Sequence, residues 1–300
     1  MRDPIKNMGA SVRGRLLKIS KERGQTFDLL LTRYVLERLL YRLSTSNHKD
    51  NFVLKGAMLV TTWLDNAHRP TRDVDLLGFG SPEPEAMLAV FQEICVLKAD
   101  DGVTFDVDAL SIDGNREDLA YGGLRLTTNA EIGGAKIRVV IDIGFGDAIE
   151  PGLNEIELPV LLDLPAPRLR AYPKETVIAE KFQAMINLGR ANSRMKDFYD
   201  IWFLAKMFEF NDDHLARAIK ATFERRETEI PGDVPDALSE AFSQDEQKKK
   251  QWSAFISGIL QDPVALDVVV SDLREFLLPH AQAAKASKVA AAAVLMSAAH

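Results

Sequence analysis

Two carboxylates spaced two residues apart, Asp73 and Asp75, are the side chains in this sequence best arranged to do chemistry. They lie in the apolar stretch 72–79, which reads as a β-strand. Positions i and i+2 of a strand share one face, so both carboxylates project together and can share divalent cations. Hard cations such as Mg²⁺ take carboxylate oxygens and keep open positions for water and phosphate. Upstream, Lys55-Gly56-Ala57 forms a glycine turn at the start of an expected helix. Backbone N–H groups in such a turn can hold an anion. Metal and phosphate sites within one short segment point to chemistry on a nucleotide. Taken alone, an Asp-x-Asp pair is more often a solvated strand end; the upstream turn shifts that balance.

A third carboxylate, Asp142, sits in the otherwise apolar, β-branched run 137–143. An unpaired charge buried there would be costly, so Asp142 is expected at a strand end facing a cleft, as a metal ligand, a base or an ion-pair partner. Two metals held by three carboxylates suit in-line attack at phosphorus. Asp147 is the weaker choice, because Gly146-Asp147 reads as a turn.

Two further segments carry charge in informative places. Ile178, Phe182 and Met185 form a helical apolar stripe with Lys181 at its edge. The Lys181 stem can pack while its ammonium reaches a groove and neutralises a triphosphate; the alternative is a surface salt bridge to Glu180 or Glu175. Next, Gly189 can end one helix, and Asn192 or Ser193 can cap another. Arg194 and Lys196 fall in that helix's first turn, where basic residues oppose the macrodipole and need an anion or acid nearby. Asp197 and Asp200, at i and i+3, face one side and can orient Lys181 or Arg194.

The rest of the 300 residues must position these groups. A formal charge of −7 argues against a protein coated in basic surface, while leaving room for a local basic groove. Arg13, Arg15, Lys18, Lys21 and Arg23 are read first as a solvated helix face and second as a nucleic-acid contact. The single Cys95 is expected in the core, in keeping with a reducing compartment. There is no signal-peptide pattern, and no uncharged apolar run reaches the roughly 18–20 residues that span a bilayer. Cytoplasm and no membrane association are the expectations. Helical periodicity marks 27–43, with Thr26 as its cap, then 58–64 and 86–97. Strands are expected at 52–54, 73–79, 103–112, 124–128 and 137–143. Residues 159–173 read as a proline-rich connector, and 175–188, 194–208 and 212–226 as helices. Gln247 to Lys250 reads as a solvated charge run. The fold class is therefore α+β: a mixed sheet with flanking helices over 1–168, a helical domain over 169–280 that closes the active-site cleft, and an alanine-rich tail over 281–300, frayed or disordered.

Four blocks in order, 54–58 (Leu-Lys-Gly-Ala-Met), 69–76 (Arg-Pro-Thr-Arg-Asp-Val-Asp-Leu), 179–182 (Ala-Glu-Lys-Phe) and 194–200 (Arg-Met-Lys-Asp-Phe-Tyr-Asp), resemble the signature blocks of the AbiEii/AbiGii toxin nucleotidyltransferases. These belong to the DNA polymerase β-like nucleotidyltransferase fold, with the MenT toxins as relatives. The resemblance covers about residues 10–260. It implies that Asp73 and Asp75 bind metal, that Lys181 contacts the nucleotide, and that Asp197 is catalytic. Asp142 as third metal ligand follows from the strand argument and the general fold. Lys55, Gly56, Ala57, Lys181 and Arg194 are the expected nucleotide contacts. Ala57 departs from the family's usual Ser or Gly, which removes a hydroxyl from the triphosphate site.

The implied activity is Mg²⁺-dependent (or Mn²⁺-dependent) transfer of an NMP from an NTP to an acceptor hydroxyl, with release of pyrophosphate. The expected acceptor is an RNA, the 3′ end of tRNA. The expected setting is a toxin–antitoxin pair in phage defence, with a cognate antitoxin as partner. Lys55, Arg69, Arg72, Arg190, Arg194 and Lys196 are the candidate RNA contacts. One alternative is nucleotidylation of a protein or small-molecule hydroxyl; another is a non-catalytic nucleic-acid- or antitoxin-binding protein, disfavoured by retention of both Asp73 and Asp75.

Overall fold

A computed structural model describes residues 7–63, 71–114, 123–259 and 263–298. Arg69 and Pro70 lie outside the described residues. The chain forms two compact units, Met1–Gly146 with Asn154–Ala171, and Asp147–Leu153 with Tyr172–His300. The first unit thus reaches Ala171 rather than 168, because a strand forms inside the proline-rich stretch.

The first unit opens with helices α1 (Met8–Arg23) and α2 (Phe27–Thr45). Thr26 stands at the N-cap of α2, although its hydroxyl makes no capping bond. Strand β1 (Phe52–Lys55) runs into the short helix α3 (Gly56–Val60), and β2 (Val74–Gly78) and α4 (Pro84–Cys95) follow. Then come β3 (Val103–Phe105), β4 (Ser111–Gly114), β5 (Leu124–Ile132), β6 (Ala135–Phe145), β7 (Asn154–Glu157) and β8 (Arg168–Ala171). The sheet is mixed, in the order β3-β5-β6-β2-β1-β8-β7, with β4 also pairing β5. β2 runs parallel to β6, and β1 parallel to β8; the other pairings are antiparallel.

Alternation gives β5 and β6 one apolar face, and it carries the core: Leu126, Val139, Ile141 and Ile143 are fully buried. Helix α2 packs on β6, contributing Val35, Leu36 and Leu39. Its buried face also holds Arg42, whose Nη1 and Nη2 donate to the two Asp101 carboxylate oxygens at 2.7 and 3.2 Å. The same guanidinium donates to the carbonyls of Leu97 and Val103, so this buried pair is well supplied with partners. Cys95 is buried as expected, and burial pushes its thiol up to about 12. Alternation likewise holds through the acid strand: Val74 and Leu76 are buried while Asp73 and Asp75 are partly exposed.

The second unit is helical: α5 (Lys174–Leu188), α6 (Met195–Met207), α7 (Asp212–Arg225), α8 (Glu240–Ser243), α9 (Glu246–Ile256) and α10 (Leu266–Ala298). The stripe residues Ile178, Phe182 and Met185 are buried, and Phe182 meets Phe223 of α7 with ring centroids 5.4 Å apart. The alanine-rich segment continues α10, with Ala281 and Ala284 buried. Among the described residues no helix is long and apolar enough to cross a membrane.

Candidate active site

Strand register builds the first half of the site. Lys55 of β1 is paired with Asp75 of β2, Asp75 with Asp142 of β6, and Asp142 with Arg125 of β5. Residues paired across strands share a face, so four side chains far apart in sequence form one row: cation, carboxylate, carboxylate, cation. Asp73 stands two residues before Asp75 and accepts a hydrogen bond from Thr71 Oγ1 at 2.6 Å.

The glycine turn is pressed directly onto this row. Gly56 has φ +67°, a conformation that only glycine adopts without strain. A Cβ on Gly56 would lie 1.9 Å from Asp75 Oδ2 and 2.6 Å from Asp75 Cβ. Glycine is therefore required twice, by the backbone and by the carboxylate beside it. Ala57 is buried.

Asp142 is 11% exposed, and both its oxygens are engaged: Arg125 Nε donates to Oδ1 and Nη2 to Oδ2, each at 2.7 Å. Of the three roles the sequence left open, the structure displays the ion pair. Among the described residues no three His, Cys, Asp or Glu side chains converge as a ready metal cluster. Arg125 was not singled out by the sequence. Its only local signal is its place on the polar face of an alternating strand, and register alone brings it to Asp142.

The second unit holds a buried charge cluster. Lys181 Nζ lies 2.9 Å from Asp197 Oδ1 and 2.9 Å from Asp200 Oδ2, and Arg194 Nε lies 2.7 Å from Asp197 Oδ2. Both aspartates are fully buried, so the salt bridge to Glu180 or Glu175 weighed for Lys181 gives way to a bridge to these two. Burial alone would raise the Asp197 carboxyl, but Lys181 and Arg194 outweigh it and hold the group below the usual carboxylate range. Glu180 instead pairs with Arg226 at 3.0 Å. Asp147, set aside as a turn residue, accepts from Tyr172 Oη at 2.9 Å.

The turn before α6 is held from outside. Asn192 Oδ1 accepts from the Arg194 N–H at 2.8 Å, and the Asn192 carbonyl accepts from Lys248 Nζ at 2.8 Å. Lys248 therefore departs from the solvated charge run expected for 247–250. It is buried, with its ammonium 5.3 Å from the centre of the Phe242 ring, which stacks on Phe198. Arg72, a candidate RNA contact, pairs at the surface with Asp28 at 3.1 Å.

Residues 38–280 match the model of the AbiEii nucleotidyl transferase toxins of type IV toxin–antitoxin systems. The chain belongs to that family. Two solved Helicobacter pylori structures share its fold. One is JHP933, at 17% identity and TM-score 0.51, covering 92% of this chain and 99% of that one. The other, titled a "putative nucleotidyltransferase", has 18% identity and TM-score 0.51 and covers 88% of this chain and 98% of that one. No curated protein sequence matches the chain significantly. AbiEii membership agrees with the four signature blocks, each of which holds a charged residue placed above.

Proposed function

We propose that this AbiEii-family protein transfers an NMP from an NTP to the 3′ hydroxyl of an RNA, with tRNA as the acceptor and the cytoplasm as its setting. The observation that carries the reading is the close approach of the Gly56 turn to Asp75, where a Cβ would collide with one carboxylate of the Asp73/Asp75 pair. A divalent cation fits this donor set, because two carboxylates on one strand face are hard oxygen ligands. Asp73 and Asp75 would hold Mg²⁺ or Mn²⁺. When bound, such a cation acidifies an attacking hydroxyl and offsets charge on the phosphoryl oxygens.

The chain's own residues supply the rest. Lys55 is the cation paired with Asp75 across β1 and β2. Lys181 and Arg194 are the proposed phosphate contacts of the helical unit, with Asp197 and Asp200 holding the Lys181 ammonium in place. The local cations that would bind an RNA backbone make activity fall steeply with salt. As a type IV toxin the protein would be opposed by a cognate antitoxin in phage defence.

The test uses purified protein, Mg²⁺, each α-labelled NTP in turn, and purified tRNA alongside cell protein. Label on tRNA that disappears in Asp73→Asn and Asp75→Asn supports the reading. Label only on protein or a small molecule would replace the acceptor. No labelling by wild type with any NTP, or full labelling by a folded Asp75→Asn, would overturn the assignment.

A further inference from the structure

The charged row sets two carboxylates side by side between two cations. Asp75 and Asp142 are direct register partners on neighbouring parallel strands, and like charges placed opposite one another destabilise a sheet. Arg125 meets Asp142 from the outer side with two parallel 2.7 Å hydrogen bonds, the strongest geometry available to a carboxylate. That pair engages both Asp142 oxygens, so a cation lying between it and Asp75 competes with the guanidinium for the group's charge and orientation. The two partners differ in freedom: the Asp142 side chain is 11% exposed and the Arg125 side chain 42%. Moving the Arg125 side chain therefore uncovers less of the core than moving Asp142 would.

We propose that Arg125 is a displaceable counter-ion that holds Asp142 beside Asp75 and yields it when a divalent cation binds. The cation relieves the like-charge contact between the two carboxylates and takes the Asp142 oxygens that Arg125 held. The displaced guanidinium remains on the same sheet face, available to an anionic group arriving with the metal. Arg125 is thus a positioning residue that competes with metal and makes Asp142 a conditional ligand. The inference rests on the metal-binding reading of Asp73 and Asp75 given above.

The test is a titration of the full chain with Mn²⁺ alone, followed by electron paramagnetic resonance and calorimetry, with no nucleotide present. Loss of a competing charge-assisted pair that is partly screened by solvent should tighten Mn²⁺ binding by about fivefold or more in Arg125→Gln. Arg125→Lys keeps the charge, loses the two-pronged bond and should fall between, which also covers the case of a misfolded glutamine variant. Lys136→Gln, which removes an exposed charge on β6, should bind Mn²⁺ like wild type. The gain should vanish in Arg125→Gln/Asp142→Asn. Unchanged or weaker Mn²⁺ binding in folded Arg125 variants would overturn the proposal, as would a gain that survives in the double variant or appears equally in Lys136→Gln. Mn²⁺ binding by Asp75→Asn equal to wild type would instead refute the underlying metal site.

Discussion

Gly56→Ala is the most direct perturbation of the acid row, and its cost has two separable parts. The first is conformational: alanine at φ +67° adopts the left-handed region at a cost of about 1–2 kcal/mol. The second is steric. The new methyl would lie 1.9 Å from Asp75 Oδ2, 2.4 Å from Cγ and 2.6 Å from Cβ. Rotating the Asp75 side chain can clear the first two atoms, but Cβ is fixed to the strand. Either β2 moves away from the turn or Asp75 leaves its register beside Asp142, at a further cost of about 1–3 kcal/mol. The sum is about 2–5 kcal/mol, measured by urea unfolding, together with loss of Mn²⁺ binding. Asp75→Gly separates the terms. In that background Gly56→Ala should cost only the conformational part, and the difference between the two backgrounds is the steric part. A loss under about 0.5 kcal/mol with Mn²⁺ binding intact would show that Gly56 does not constrain Asp75, and the site's geometry would have to be reconsidered.

Three other outcomes follow from single sites. Lys181→Met leaves the buried Asp197 and Asp200 without their shared ammonium, so thermal stability should fall by about 3–5 kcal/mol and NTP binding should weaken. Lys174→Ala removes an ammonium 3.9 Å from the Phe208 ring centre and should cost about 1 kcal/mol or less without touching NTP binding; equal effects in parallel titrations would remove Lys181 from the nucleotide site. Glu37 is fully buried, and burial, offset in part by Arg33, pushes its carboxyl up from 4.5 to about 7. The folded state then binds this proton more tightly than the unfolded chain, so this group's contribution to stability is full below about pH 4.5 and is lost as pH rises to about 7, by about 3 kcal/mol. In urea unfolding between those limits wild type should lose that amount relative to Glu37→Gln; parallel profiles would refute it. Asp101→Ala strands the buried Arg42 guanidinium and should cost about 3–5 kcal/mol in urea unfolding, whereas a loss below about 1 kcal/mol would mean that the Arg38, Leu97 and Val103 carbonyls around Arg42 suffice.

Local periodicity made α2, α4, α5, α6, α7 and the central strands legible, because burial of one face imposes it directly. The run 124–128 and the run 137–143 name the two longest strands, and the stripe Ile178, Phe182, Met185 names α5. Strands β7 and β8 escaped because each sets one large apolar residue between charged ones over four positions, whereas the equally short β1 is marked by three apolar residues in a row. β7 reads Asn-Glu-Ile-Glu, its acids suiting an edge strand that must not pair further. β8 reads Arg-Leu-Arg-Ala between prolines, and it is a strand because β1 and β7 lie on either side of it. Lys248 escaped for a related reason. Within Gln247 to Lys250 every residue is polar, so nothing local marks the one whose ammonium is taken inside by the Asn192 carbonyl.

The site divides along the same line. Asp73 with Asp75, and Asp197 with Asp200, are visible because the spacings i+2 and i+3 fix a shared face whatever surrounds them. Asp142 was visible only as an improbable charge among β-branched residues, which told of a partner without saying which one. Register supplies the partner. The β5–β6 hairpin pairs Leu124 with Ile143 and Ile132 with Ala135, and that frame sets Arg125 against Asp142. A shift of one residue would turn the apolar set of β5 outward and Arg125 into the core, so the hydrophobic pattern that folds the hairpin also fixes the ion pair. The same reasoning holds across β2 and β6, where the pairing of Leu76 with Ile143 sets Asp75 against Asp142. The charged row is thus a consequence of apolar registry on the opposite face. A substitution that slips that registry would dismantle the site without altering any of its four charged residues.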